Sequence, residues 1–174
     1  MSTEQQYLHS SIKQFRTYKE LAQKAIAQIG ENDLNKIIDP ESNSIAIIIQ
    51  HLGGNLISRW TDFLTTDGEK TDRNRDAEFE EKCLTKNELM DYWNKGWDTL
   101  FETLDELQPE DLGKTIYIRK QPLTVLEAIN RQLTHYAYHV GQIVLLAKHF
   151  NSSGWQSLSI PKGDSQSYNK THGL

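Results

Sequence analysis

Residues 135 to 143 read HYAYHVGQI and set two imidazoles four positions apart, His135 and His139. On an α-helix such positions lie one above the other, about 5–6 Å apart at Cβ, so both rings can be aimed at one point. A helical wheel puts them at the edge of an apolar stripe, with Arg131, Tyr138 and Gln142 on the adjoining polar flank. Two imidazoles seldom hold a divalent ion firmly enough for catalysis, so a third ligand must come from elsewhere in the chain. His51 is the best placed, because IIIQHLGGNLISRW sets it mid-helix at the edge of a second apolar stripe, where a side chain points between helices. His9 lies near the start of the first helix and His172 in the tail, while His149 follows His139 by ten residues. At 1.5 Å per residue that is about 15 Å further along the axis, too far to share an ion.

Three histidines from two helices leave at least one coordination position open, the mark of a catalytic rather than a structural zinc-type site. All-imidazole ligation suits Zn, Ni, Cu or Fe alike. Spacing alone supports a second reading equally: His51 as a packing residue and the pair as internally hydrogen-bonded, since chance gives roughly 0.2 such pairs in a chain of this composition. Tyr136, Ala137 and Tyr138 fill the interval, so the glutamate of an HExxH zincin is absent.

Four helical segments must position these residues. The first collects Tyr7, Ser11, Phe15, Tyr18, Ala22, Ala25 and Ile29 on one face and stops at Gly30. The second follows Pro40 and ESNS, running from about Ser44 to Thr65 with Ile45, Ile48, Leu52, Leu56 and Phe63 on one side. The third opens with Thr85 and Glu88 at capping-box spacing and ends at Pro109; the fourth opens the same way with Thr124 and Glu127. Amphipathic helices unstable alone pack most simply as an all-α four-helix bundle. TIYIRKQ, residues 115 to 121, has strand-like alternation but is too short to make an α/β protein. The connection from about Thr66 to Leu84 is long enough to cross a bundle, which permits a crossover between helices two and three. From about Asn151 the chain is a polar tail without helical periodicity, which frays or lies over the bundle.

Composition narrows the function. At 174 residues one domain spanning 1–174 is expected, and 37% hydrophobic with 25% charged residues describes a globular protein. A net charge of -5 argues against a nucleic-acid binder. Cys83 is the only cysteine, so neither an internal disulfide nor a cysteine-based zinc site can form, and it reads as an inert small residue. Neither a signal-peptide pattern nor an apolar stretch long enough for a bilayer is present, so the expected location is cytoplasmic, without a membrane partner.

His51 in the second helix and HYAYHVGQI in the last together resemble the DinB-like superfamily of bacterial four-helix-bundle metalloproteins, which includes bacillithiol transferases and YfiT-like hydrolases. The resemblance covers essentially the whole chain. It is nearest to a subgroup with no assigned activity, through QHLGGN (50 to 55), DGEKTDRNRDAEF (67 to 79) and SLSIPKGDS (157 to 165). It implies a bundle with a crossover between helices two and three, often a homodimer, and His51, His135 and His139 as ligands of nickel, zinc or a similar divalent ion. It further implies a metal-dependent enzyme that activates a low-molecular-weight thiol, or water, for transfer to or hydrolysis of a small electrophile. The rival is a metal-binding or metal-free dimeric, stress-associated binding module without turnover, and a fourth protein ligand closing the site would favour it.

Around the triad, Asn55 and Arg59 follow His51 by one and two turns on the inward side of the second helix. A buried guanidinium needs an anionic partner, either a ligand or an acid such as Asp98 or Glu102. Gly53 and Gly54 cost about 1 kcal/mol each in mid-helix, which close helix packing or room for a substrate would offset. Arg73 and Arg75, with Lys70, belong to a charged loop, and Lys162 to the tail. Such charges are ordinarily solvated, but together they can frame the metal and favour a carboxylate- or phosphate-bearing substrate. With no carboxylate evident beside the ligands, thiol transfer is favoured over hydrolysis, and Tyr138 and Gln142 are the candidate catalytic groups to orient the nucleophile. Trp60, Trp93, Trp97 and Trp155 read as core or interface aromatics.

Overall fold

A computed structural model of the chain describes residues 1–171 and 173; His172 lies outside them. The protein is mostly helical, as the periodicities require. Helix α1 is Thr3–Ala27, capped by a reciprocal Ser2–Gln5 box, and it ends short of Gly30, which leads instead into a single 3-10 turn. Helix α2 is Ile45–Trp60, with the Ser44 hydroxyl accepting from the Ile47 N–H. It is shorter than the 44-to-65 span expected, because Thr61 is extended and Asp62 takes φ of 48°, turning the chain so that Phe63 reaches the core from outside the helix. Helices α3 (Lys86–Glu106) and α4 (Val125–Phe150) begin with the capping boxes of Thr85–Glu88 and Thr124–Glu127.

Side-chain contacts fix the helix directions. Gly53 lies against Tyr92, Gly96 against Leu56, and the Thr103 hydroxyl donates to the Trp60 carbonyl. Numbers ascend together, so α2 and α3 are parallel. The same holds for α1 and α4, joined by Tyr7 to Asn130 at one end and Gln28 to Asn151 at the other. Between α1 and α3 the order reverses, with Arg16 on Asp105, Lys19 on Asp98 and Gln23 on Asn94. Parallel neighbours cannot be joined by a tight turn, so residues 61–85 run back along the helices and carry a 3-10 turn, Asp76–Phe79, onto α2.

Helix α2 is the central element. All its residues except Ile47 and Ile57 are buried, so its polar side chains face protein. At the centre Phe15, Trp60, Trp97 and Tyr136 pack in edge-to-face and tilted contacts at centroid separations of 5.5 to 6.4 Å. Trp93 is also fully buried, whereas Trp155 is half-buried at the margin.

TIYIRKQ forms half of a hairpin. Strand β1 (Thr115–Ile118) pairs antiparallel with β2 (Gln121–Thr124), Ile118 opposite Gln121. Arg119 and Lys120 both take positive φ, 55° and 62°, as a two-residue primed turn demands. The Asp67 carboxylate accepts from both their N–H groups at 2.8 and 2.7 Å, which ties the hairpin tip to the crossover. Ile116 and Ile118 point into the core.

The tail is more ordered than its composition suggests. Gln28 and Gln156 exchange two hydrogen bonds, Trp155 and Leu158 pack against the core, and a short helix α5 (Ser165–Thr171) follows. Cys83 is exposed, with φ of 48°. Among the described residues no helix is long and apolar enough to cross a membrane.

Candidate metal centre

His51 from α2 meets His135 and His139 from α4, and one ring nitrogen from each lies within 4.8 Å of the others. The three are the group of potential ligands found together among the described residues; no carboxylate or thiol joins them. Antiparallel packing of α2 on α4 brings His51 level with both partners, with Asn55 reaching Gln132 one turn on.

Hydrogen bonds settle which nitrogen of two rings is free. His51 Nδ1 is 2.9 Å from Glu78 Oε2; an ionised carboxylate only accepts, so Nδ1 carries the proton and Nε2 keeps its lone pair. That lone pair faces His135 Nε2 at 3.4 Å. His139 Nδ1 donates to Gln142 Oε1 at 2.8 Å, which likewise leaves its Nε2 available. Burial, reinforced by the His139 and His51 rings and by Arg59 and Arg131, pushes His135 down to about 3. Burial takes His139 down to about 4, opposed by its bond to Gln142. Both are therefore neutral at pH 7, the protonation state a ligand requires.

A carboxylate stands behind the triad where none was expected. Burial alone would raise Glu78, but hydrogen bonds from His51 and Arg73 and the Arg73 charge outweigh it and hold the carboxyl below its ordinary range. Arg73 donates to it twice, Nε to Oε1 at 2.7 Å and NH2 to Oε2 at 2.8 Å. Gly54 makes room for this group, since a Cβ there would lie 2.2 Å from Glu78 Oε1. Gly53 and Gly96 instead allow close approach of α2 and α3.

Arg59 pairs with neither Asp98 nor Glu102. It donates to the Gly68 carbonyl and, at 2.9 Å, to Glu69 Oε2; Asp98 is taken by Lys19. Glu69 also receives Arg73 and Arg119. The loop is thus a buried ion network rather than a solvated charge run: the Arg73 side chain is 5% exposed and Glu78 8%.

A cavity of about 430 Å³ opens beside the triad, lined by His51 and His135, by Asn55, Gln132 and Tyr138, and by five arginines: Arg59, Arg73, Arg75, Arg119 and Arg131. Asn55 belongs to a buried cluster in which its Oδ1 accepts from Gln132 and Tyr136. Tyr138 is 58% exposed and packs against His139 with ring centroids 4.2 Å apart and planes tilted by 48°. Gln142 engages His139 Nδ1 and so leaves the other ring nitrogen free. Lys162 is exposed in the tail and does not line the cavity. Glu78, Glu69 and Arg119 escape sequence reasoning. Glu78 is one of several acids between 67 and 80, and only the mid-helix Gly54 hints at an intruding group.

A helical protein with three converging imidazoles, two of them oriented by hydrogen bonds and two of them, His51 and His135, lining a cationic cavity, is by construction a candidate metalloprotein. The chain belongs to the family described as Protein of unknown function (DUF1572), whose model matches residues 2–164. No curated protein matches it.

Proposed function

We propose that the protein is a metal-dependent enzyme of the DinB type in which His51, His135 and His139 hold one divalent ion, nickel, zinc or similar, for work on a small electrophilic substrate. One observation carries the reading: three ring nitrogens within 4.8 Å of one another, two with fixed lone pairs, beside an open cavity rather than a fourth protein ligand. His51, His135 and His139 would hold the ion, whose chemistry there would be to lower the pKa of an incoming thiol or water and so supply a nucleophile near neutral pH.

The chain's own residues have distinct tasks. Glu78 holds the His51 ring and its tautomer, Arg73 holds Glu78, and Gln142 holds His139. Glu78 is not the proton acceptor of a hydrolase, because both its oxygens are engaged and its carboxyl is held ionised, which makes it a weak base. That favours transfer of a low-molecular-weight thiol, which needs no protein base, over hydrolysis. Tyr138, at the cavity wall, is the group placed to orient the nucleophile.

Metal content measured by plasma mass spectrometry on tag-free protein tests this first. About one ion per chain, lost in His135→Ala, is expected and leads to a screen of thiols with electrophiles. No ion in either protein after dialysis against zinc or nickel refutes the metal centre.

A further inference from the structure

Five guanidinium groups line the cavity, yet two carboxylates, Glu69 and Glu78, are the ones in contact with them. These two acids serve Arg59, Arg73 and Arg119; among the described residues Arg75 and Arg131 form no ion pair. The wall therefore carries three positive charges in excess. Arg59, 4% exposed, also keeps its buried Nε–H without an acceptor. Arg75, Arg119 and Arg131 are exposed at the cavity wall, so their remaining N–H groups are open to a ligand, and a planar guanidinium fork is shaped for the two oxygens of a carboxylate or phosphate.

The cations are also set in place. Arg59 and Arg73 are locked by Glu69 and Glu78. Arg119 is delivered by the hairpin turn that Asp67 holds, and Arg75 lies over the Phe79 ring, which itself packs on His51 at 4.8 Å. Arg131 projects from α4 one turn before His135.

We infer that this wall is an oxyanion subsite: Arg75, Arg119 and Arg131 bind a carboxylate or phosphate of a small substrate whose reacting end meets the three histidines. The inference deepens the metal-centre reading and rests on it for the second half of that statement. A cavity of about 430 Å³ restricts the substrate to metabolite size.

Calorimetric titration of metal-free protein with inorganic phosphate and with malonate tests the subsite apart from the metal. Wild type binds at least one of them, and Arg75→Gln/Arg131→Gln weakens that binding by about tenfold or more, with zinc uptake unchanged. Phosphate alone then assigns a phosphorylated substrate, malonate alone a carboxylate one. Arg16→Gln, on the far side of the bundle, leaves binding as it was. The subsite is overturned if neither anion binds the wild type, if the double variant binds equally well, or if binding appears only with zinc and ignores the arginines. Anion binding by a wild type that takes up no zinc keeps the subsite and refutes the metal centre instead.

Discussion

Glu78→Gln removes one charge and almost no volume, so it isolates the role of the carboxylate behind His51. Glu78 accepts three charge-assisted hydrogen bonds, from His51 Nδ1 at 2.9 Å and from Arg73 Nε and NH2 at 2.7 and 2.8 Å. A glutamine offers one carbonyl oxygen and an NH2 group. If the oxygen stays with Arg73, the amide donates to His51 Nδ1, the proton moves to Nε2, and the lone pair aimed at the metal position is lost. If the oxygen turns to His51, the amide meets the Arg73 guanidinium, donor against donor. Either arrangement breaks a brace whose side chains are 5% to 8% exposed. The expected loss is about 2–4 kcal/mol of stability in the metal-free protein, with zinc affinity lower by about 10–100-fold. Urea denaturation reads the first and competition with a chromophoric chelator the second. Zinc affinity within about threefold of wild type would refute the assignment of Glu78 as the group that orients His51.

Three further outcomes follow from the same geometry. Gly54→Ala sets a Cβ 2.2 Å from Glu78 Oε1 and 2.7 Å from its Cδ, so despite better helix propensity it should cost about 1–3 kcal/mol and weaken zinc binding, read by the same two assays. Tyr136→Phe strips the acceptor from Trp60 Nε1, and one of two from Gln132, in a fully buried cluster; about 1–3 kcal/mol should be lost in denaturant while zinc stoichiometry stays at wild type. The metal-free protein should lose stability on acidification: with folded pKa values of about 3 and 4 for His135 and His139 against an ordinary histidine value of about 6.5, the unfolded chain binds protons that the folded chain refuses. Stability is then complete above about pH 6.5 and falls by about 1–2 kcal/mol per unit between pH 6 and 4. Denaturation midpoints at pH 7, 6 and 5 check this, and His135→Gln/His139→Gln should flatten the profile.

What was legible in the sequence was local or periodic. The capping boxes at Thr85 and Thr124 and the apolar stripes of four helices depend on neighbours three or four residues away, so they stood out without a fold. The i, i+4 pair His135 and His139 was legible for the same reason, and His51 because a helix as apolar as α2 leaves a polar side chain nowhere to point but between helices. The end of α2 at Trp60, the hairpin turn at Arg119 and Lys120 and the short helix α5 were not, since a positive φ or a docked tail is selected by contacts distant in sequence.

Tertiary structure alone settles the charges. Arg59 finds Glu69 and not the acids of α3, and Glu78 rather than Asp67, Asp72 or Asp76 goes behind His51. The loop thereby supplies a buried acid, Glu78, and a half-buried one, Glu69, which hold Arg73 of the loop together with Arg59 of α2 and Arg119 of the hairpin, beside a wall with excess positive charge. An ion pair has no sequence period. It forms where the parallel course of α2 and α3 forces residues 61–85 back along the helices, and burial there makes Arg73 and Glu78 take partners.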